Sequence, residues 1–360
     1  MPAVPSTTVP PGSAPGGAPS STSAGLGSRR RRLVLGVVAC TVVLLVAALL
    51  SLMVGSHALS PSAVLGALRH YDPHDEASLI VVDKRLPRTL VGVLAGLALG
   101  LAGTVMQGLT RNPLADPGLL GVNAGAALAV VLAIAVAGVS STAGYVPFAF
   151  VGAAVASVVV YTVGSLGREG ATPVKLALAG AAVSAALTSL VTAVVLTSND
   201  ALDQLRFWQV GALAGRGFDV VWEVLPPIAV GAVVALGLGR SLNGLALGDD
   251  VARALGQRVG LVRAASAVAV VLLCGAATAA AGPIAFVGLV VPHAARRLVG
   301  HDYRWILAFS ALLAPSLLLL CDVVGRVVAY PGELEVGIVT AVVGAPLFIA
   351  LVRRGGAAGL

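Results

Sequence analysis

Long apolar segments separated by short polar stretches recur along most of this chain. About 20 consecutive apolar residues are enough for a helix to cross the hydrocarbon core of a bilayer, and a helix satisfies its own backbone hydrogen bonds there. The repeated segments therefore predict ten transmembrane helices rather than one buried core. Their approximate bounds are residues 33–54, 86–108, 118–138, 147–166, 173–197, 220–240, 263–281, 284–299, 305–325 and 336–352.

The polar stretches predict three further parts of the chain. Residues 1–28 are dominated by Pro, Ser, Gly, Ala and Thr and carry no charged side chain. Such a stretch has too few large apolar side chains to fold alone, so we expect a disordered tail before a transmembrane domain at 29–360. A helical stretch is predicted around Leu205–Gly215, but it is too short and too polar to cross a bilayer. The longest connection on the same side as the two termini, residues 241–262, is expected to be a loop outside the membrane.

Composition agrees with this pattern. Hydrophobic residues make up 58% of the chain, charged residues make up 11%, and the mean hydropathy is +0.97. A typical soluble domain has about 25% charged residues, so an ordinary soluble protein is excluded. The sequence predicts an all-α polytopic membrane protein with the lipid bilayer as its surroundings.

The positive charges are divided unevenly between the two sides that ten crossings define. Sixteen of the 23 lysine and arginine residues fall on the side of the two termini. Because lysine and arginine are concentrated in cytoplasmic loops, both termini are predicted to be cytoplasmic. The net charge of +7 therefore indicates which loops face the cytoplasm. No basic patch interleaved with aromatic residues indicates a nucleic-acid partner.

Two predicted helices carry small residues at every fourth position, which places these residues on one helix face. In the second helix they are Gly92, Gly96, Gly100, Thr104 and Gly108. Small residues allow a neighbouring helix to approach closely, so this face is predicted to be a packing surface. The face of the fifth helix includes hydroxyl groups and is predicted either to pack or to line a path. Its residues are Gly180, Ser184, Thr188 and Thr192.

The sequence lacks the common nucleotide-binding and catalytic motifs. The phosphate-binding pattern G-x-x-x-x-G-K-[ST] is absent, and Lys84 and Lys175 are the only lysines. The cysteines Cys40, Cys274 and Cys321 lie in apolar runs without partners at metal-ligand spacing, so no disulfide, bound metal or cofactor is expected. A transporter powered by a separate protein fits these features best. An ion-coupled transporter is one alternative, and a membrane enzyme or scaffold is another.

Charged residues within the predicted helices are few. Asp322 and Arg326 lie four residues apart near the outer end of the ninth helix, a spacing that predicts an ion pair on one helix face. No series of buried acidic residues runs through the predicted helices as ion-coupled pumps usually require. This weakens the ion-coupled alternative.

The loop at 241–262 contains a helix signal of its own. Gly248 is followed by Asp249 and Asp250, which favour a helix N-terminus, and Gly256 can end the helix. The segment is too short to cross a bilayer. It is predicted to be a short cytoplasmic helix that either binds another protein or lies on the membrane surface.

Four long blocks in the same order along the chain resemble the FecCD family of ABC-importer permeases, which serve ferric siderophores, haem and cobalamin. The blocks are RLPRTLVGVLAGLALGLAGTVMQGLTRNPLADPGLLGVNAGA, LALGDDVARALG, AGPIAFVGLVVPHAARRLVGHDYR and PGELEVGIVTAVVGAPLFIALV. The likeness extends over about residues 33–354. It implies a type II ABC importer permease fold with ten spans and both termini inside.

The resemblance also implies the partners of the chain. Two permease subunits, identical or paralogous, would pair around a path lined chiefly by the fifth and tenth helices. A cytoplasmic ABC ATPase dimer would supply energy and an external substrate-binding protein would deliver substrate, so the chain itself would not be an enzyme. By match to the family, the ATPases would grip Leu247, Gly248, Asp249, Asp250, Ala252, Arg253, Ala254, Leu255 and Gly256.

Gate and docking residues follow from the same resemblance. In similar permeases the loop after the second helix narrows the cytoplasmic exit, and a second loop forms another constriction. The matching residues are Asn112, Pro113 and Leu114 in the first loop and Thr172, Pro173 and Val174 in the second. The arginines that would dock acidic residues of the binding protein are Arg85, Arg88 and Arg326. Glu335 stands where the family commonly has proline, which changes the charge of the outer rim.

Substrate class is expected from the family alone. Ferric siderophores are favoured because most relatives serve them, and haem and cobalamin are the alternatives. The predicted helices contain no cluster of iron ligands. This agrees with a metal that stays wrapped in its chelator during transport.

Overall fold

The computed structural model describes residues 22–55, 58–139, 141–166 and 172–355. Every regular element in this part of the chain is a helix. In chain order the helices are α1 Thr22–Met53, α2 Pro61–Arg69, α3 Glu76–Ser78, α4 Leu86–Thr110, α5 Val122–Ala135, α6 Thr142–Gly164, α7 Pro173–Val195, α8 Asn199–Gln209, α9 Phe218–Gly237, α10 Gly239–Ala246, α11 Asp249–Ala254, α12 Val259–Ala281, α13 Val287–Val299, α14 Tyr303–Val328 and α15 Val336–Gly355. A π-helical segment, Leu79–Arg85, joins α3 to α4, and a 3-10 turn, Pro117–Leu120, precedes α5.

The ten predicted transmembrane helices correspond to α1, α4, α5, α6, α7, α9, α12, α13, α14 and α15. Among the described residues, seven helices are long and apolar enough to cross a membrane. Shorter apolar helices are α5 and the apolar part of α15, Val336–Ala350, and α13 has 13 residues. The prediction of an all-α polytopic membrane protein is confirmed.

Helix α4 lies at the centre of the bundle. All its residues from Ala98 to Thr110 are buried, and it packs against α14, α12, α13 and α9. By contrast, few of the described residues in the apolar parts of α1 and α7 are buried in the isolated chain. Because α4 has neighbours on every side, its small residues decide how closely the central helices can approach.

The small-residue face of α4 packs against α14, as predicted. A Cβ atom added at Gly96 would lie only 2.7 Å from the backbone nitrogen of Pro315. One added at Gly100 would lie 2.7 Å from the carbonyl oxygen of Ser310. One turn further, the hydroxyl of Thr104 donates to the hydroxyl of Ser310 at 3.0 Å. These approaches are too close for larger side chains on either helix.

Non-helical backbone enters the bundle between α12 and α13, at residues 282–286. The backbone N–H of Ala212 donates to the carbonyl oxygen of Ala281 at 2.8 Å, and the N–H of Gly337 donates to that of Gly211 at 3.0 Å. These bonds join the end of α12, the segment after α8 and the start of α15.

The start of α1 differs from the prediction. The sequence predicts a disordered tail through residue 28, but α1 begins at Thr22. The last proline before α1 is Pro19. No proline therefore interrupts a helix that extends backwards from the apolar run, and extension of an existing helix is far easier than its nucleation. Residues 1–21 of the predicted tail lie outside the described residues.

Several short helices outside the main spans were not predicted, namely α2, α3 and α10. The predicted helix around Leu205–Gly215 is shifted towards the N-terminus and becomes α8, which ends at Gln209. Gly211 and Gly215 follow with φ values of +77° and +72°, a backbone conformation that stops a helix. The 11 residues of α8 extend over roughly 16 Å, too short to cross a bilayer as expected.

Candidate functional site

Helix α11 carries the residues predicted to meet the ATPases. It begins after Gly248, whose φ of +105° favours glycine, and Gly256 follows its end at φ +81°. Ala252 is buried against the protein, whereas Leu247 and Leu255 are exposed by 63% and 65%. The predicted short helix is therefore present. It presents a small apolar ridge rather than a buried face.

The two acidic residues that begin α11 face in different directions. The Asp250 side chain is 98% exposed and pairs with Arg253 on the same helix at 2.9 Å. Asp249 is only 21% exposed and pairs with Arg111 at 2.6 Å and with Arg263 at 2.7 Å. Arg111 directly follows the last residue of α4, and Arg263 lies in the first turns of α12. One side chain of α11 thus connects three segments of the protein.

Helix α10 is held to the start of α14. The side-chain amide of Asn243 donates to Asp302 at 2.7 Å, and its carbonyl oxygen accepts from the backbone N–H of Tyr303 at 2.8 Å. Hydrogen bonds from Arg304 and Asn243 lower the pKa of Asp302 to about 2 despite partial burial. Asp302 is thus ionised at physiological pH and can also cap α14.

The loop between α4 and the 3-10 turn, residues 111–116, is called the gate loop below. Arg111 has a left-handed backbone, with φ at +52°. The side-chain carbonyl of Asn112 accepts from the N–H of Leu114 at 2.9 Å, and a carboxylate oxygen of Asp116 accepts from the N–H of Gly118 at 2.7 Å. With Pro113 and Pro117, these turns stiffen the loop. Leu114 is 51% exposed at its tip.

The second predicted gate segment forms the start of α7. The Thr172 hydroxyl accepts from the N–H of Lys175 at 3.4 Å, a helix cap, and Pro173 occupies the first turn of the helix. The side chain of Val174 is 68% exposed. α7 packs against the 3-10 turn that follows the gate loop. The second gate segment therefore begins a helix that contacts the turn directly after the gate loop.

The four small residues predicted along α7 have different surroundings. Gly180 is buried against the backbone carbonyl of Leu119, so it packs helix against loop. Ser184 and Thr188 line a cavity of about 370 Å³. Thr192 is exposed and its hydroxyl donates to the carbonyl oxygen of Thr188 at 3.0 Å. Gly180 thus packs as predicted, whereas the lining of a path by this face stays a prediction.

The cavity beside Ser184 and Thr188 has further polar residues that the sequence did not single out. Asn123 of α5 lines it and accepts a hydrogen bond from the hydroxyl of Thr278 at 3.1 Å. Gln209, at the end of α8, lines it as well. These residues come from separate parts of the chain, and no local spacing connects them.

The arginines predicted to dock the binding protein are mostly buried. The guanidinium of Arg85 donates to the carbonyl oxygens of Leu52 and Met53 at 2.8 and 2.9 Å. That of Arg326 donates to the carbonyl oxygens of Ser51 and Val54 at 2.7 and 2.9 Å. Both arginines therefore satisfy the last carbonyl groups of α1, where positive charge is favourable.

Arg88 and Arg326 share one buried acid. Asp322 is 1% exposed and pairs with Arg326, as the four-residue spacing predicts, and also with Arg88 at 2.7 Å. Arg88 reaches outward to Glu333 at 2.7 Å. Together with Lys84, Arg216 and other residues, the three arginines line a cavity of 340 Å³. This cluster holds α1, α4 and α14 together.

Comparison with known proteins identifies relatives over most of the chain. The sequence profile of the FecCD transport family matches residues 43–354. The ferric enterobactin transport system permease protein FepD of Escherichia coli (strain K12) is 51% identical over 311 residues, which are 86% of this chain and 92% of that protein. The iron(3+)-hydroxamate import system permease protein FhuB of Bacillus subtilis (strain 168) is 41% identical, over 91% of this chain and 85% of the relative.

A solved structure has the same fold. It is an inward-facing conformation of a metal-chelate type ABC transporter, with a TM-score of 0.78 and 29% sequence identity. The likeness covers 88% of this chain and 98% of that one. Family profile, relatives and fold agree over the helical bundle and the segment that contains α11. The chain belongs to the FecCD transport family.

Proposed function

We propose that this chain is the permease subunit of an ATP-driven importer that moves ferric siderophores across the cell membrane. The observation that carries the proposal is α11, a short helix whose exposed Val251 lies between the exposed flanking residues Leu247 and Leu255, beside charged residues. A surface of this kind suits another protein better than water. It also distinguishes the chain from a transporter that works alone.

A separate ATPase pair supplies the energy in this proposal. The sequence has no phosphate-binding loop of its own. ATP binding would draw the two ATPases together, move both copies of α11 and switch the path between outward and inward access. An ion-coupled mechanism is less well supported, because the acid buried near the outer end of the bundle, Asp322, is already neutralised by Arg88 and Arg326.

The substrate assignment rests on the relatives. Their names refer to ferric enterobactin, iron(3+)-hydroxamate and cobalamin. We favour a ferric siderophore over haem or cobalamin because iron chelates predominate among the relatives of highest identity. Among the described residues no group of three His, Cys, Asp or Glu side chains could hold a metal ion. A chelated metal does not need such a group.

The path would lie between two permease subunits, identical or paralogous, each facing the other with α7 and α15. Much of both helices is exposed in the single chain, including Leu178 and Leu190 on α7 and Val342 on α15. A second subunit would cover part of this surface. Ser184 and Thr188 would then line the path from either side of the pair.

The external binding protein would dock at the outer end of the bundle, opposite α11. The arginines at this end are largely buried, so the binding protein would reach them through the cavity that they line and not as free charges on the surface. Arg88 is the best placed of the three, since it bonds the partly exposed Glu333 at 2.7 Å. An acidic residue of the binding protein could compete with Glu333 for it. With α11 facing the ATPases, both chain termini would lie on the cytoplasmic side.

Reconstitution tests the function directly. Proteoliposomes that contain the chain, its ATPase subunits and its binding protein are expected to take up a ⁵⁵Fe-labelled ferric siderophore only when ATP is supplied to the ATPase side. The chain alone, given a proton or sodium gradient, is expected to take up none. Gradient-driven uptake without ATPases would overturn the proposal. Haem and cobalamin, offered in parallel, decide the substrate class.

The gate assignment has its own test. Leu114→Ala, alone or with Asn112→Ala, is expected to raise the passive leak of labelled chelate from proteoliposomes several-fold, because the exposed tip of the gate loop is shortened. Leu196→Ala is the matched control, since Leu196 is 82% exposed at the far end of α7. It is expected to leave the leak unchanged. If leak and ATP-coupled uptake in the Leu114 and Asn112 variants equal those of the wild type, these residues do not form the gate.

A further inference from the structure

Asp249 is the one acidic residue of α11 that bonds outside its own helix in the described structure. One carboxylate oxygen accepts from Arg111 at 2.6 Å and the other accepts from Arg263 at 2.7 Å. Charge-assisted hydrogen bonds of this length are about twice as strong as neutral ones. The side chains of Asp249 and Arg263 are 21% and 18% exposed, so solvent screens their interaction only in part.

Arg111 is also the first residue of the gate loop. Its left-handed backbone turns the chain out of α4. Beyond it, the hydrogen bonds of Asn112 and Asp116 and the two prolines make the loop stiff. A displacement of the Arg111 side chain is therefore passed to Leu114 instead of being absorbed by flexible backbone.

A glycine separates α11 from its neighbour α10. Asn243 fixes α10 to Asp302 and Tyr303 at the start of α14. Between α10 and α11 lies Gly248, with a φ of +105° that favours glycine over other residues. Rotation about this glycine would swing α11 while α10 stays in place. Asp249, the next residue, would move first.

We propose that Asp249 is a positioning residue that transmits movement of α11 to the gate loop through Arg111, with Arg263 holding its second oxygen. This inference rests on the proposed function and adds to it a defined route from the ATPase contact to the exit. The route has two parts. The first is the ion pair between Asp249 and Arg111, and the second is the stiff loop that starts at Arg111. Removing the charge of Asp249 should uncouple ATP hydrolysis from transport without releasing the ATPases.

Asp249→Asn in the complete reconstituted transporter tests the inference. The ATPases are expected to co-purify at wild-type stoichiometry, and ATP hydrolysis is expected to continue. Labelled chelate taken up per ATP hydrolysed should fall by about tenfold, because loss of the charge weakens the bonds from both Arg111 and Arg263. Arg111→Gln should have the same effect, and the double variant should be little worse than either single variant. Asp249→Glu should restore part of the coupling.

Asp203→Asn is the matched control. It removes an exposed ion pair of 3.0 Å to Arg206, within α8 and away from α11. It should leave the uptake per ATP unchanged. The inference is wrong if Asp249→Asn matches this control, or if it releases the ATPases and so proves to be a docking contact. Failure of the proposed function would show differently, as absence of ATP-dependent uptake by the wild-type protein.

Discussion

Replacement of residues 249–256 by a Gly/Ser linker of equal length is expected to reduce ATP-driven uptake to background and to release the ATPase subunits during purification. The linker removes the apolar ridge that Val251 and Leu255 contribute and both ion pairs of Asp249. A Gly/Ser chain is also a flexible coil that transmits no displacement. Retention of ATPases on affinity-purified permease and uptake by proteoliposomes are the two measurements.

A second replacement separates this effect from general damage. A Gly/Ser linker in place of residues 61–68 removes most of α2, a helix of similar length on the other side of the membrane. The ATPases are expected to remain bound to that variant. Wild-type uptake and full ATPase retention after the 249–256 replacement would show that α11 is not where the two proteins meet.

The positions of the main helices could be predicted from the sequence because hydrophobicity along one segment decides them. The spacing of Gly96 and Gly100 likewise predicts a packing face, and the four-residue spacing of Asp322 and Arg326 predicts their ion pair. Both features are confirmed. Asp322 and Arg326 lie on the same helix, so their spacing alone predicts the ion pair. For the glycines, the composition of one helix face is enough to predict close packing.

Contacts between distant segments could not be predicted in this way. Arg111 and Asp249 are 138 residues apart, and neither position is distinctive within its own segment. The burial of Arg85 and Arg326 was also missed. A sequence cannot show that their guanidinium groups reach the last carbonyl groups of α1, and exposed rim arginines were the simpler expectation.

Short helices were missed for a different reason. α2 and α10 have nine and eight residues, so neither gives the long apolar signal on which the prediction of spans depends. α10 is instead defined by its tertiary contacts, above all the bonds of Asn243 to Asp302 and Tyr303. The contacts that hold α10, the helix before α11, to the bundle could therefore be recognised only in the folded structure.

Gly96→Ala is expected to cause a large loss of stability by disrupting the close contact between α4 and α14. The new methyl group would lie within 2.7 Å of the backbone nitrogen of Pro315, so two central helices must separate. Overpacking of a tight interface costs about 1–3 kcal/mol, and backbone on the opposing side gives little room for relief. We expect a lower melting temperature in detergent and a smaller monodisperse fraction on size-exclusion chromatography.

Two other glycine substitutions show whether the opposing atoms decide the outcome. At Gly92 the nearest opposing atoms are the side-chain tips of Leu319 and Leu213, which can shift, so Gly92→Ala should be milder than Gly96→Ala. At Gly260, on α12, an added Cβ would meet no atom within 4 Å. Gly260→Ala should therefore be neutral or stabilising by about 0.5–1 kcal/mol, since alanine favours helix. Equal melting temperatures for all three variants would mean that α4 and α14 do not need this close approach.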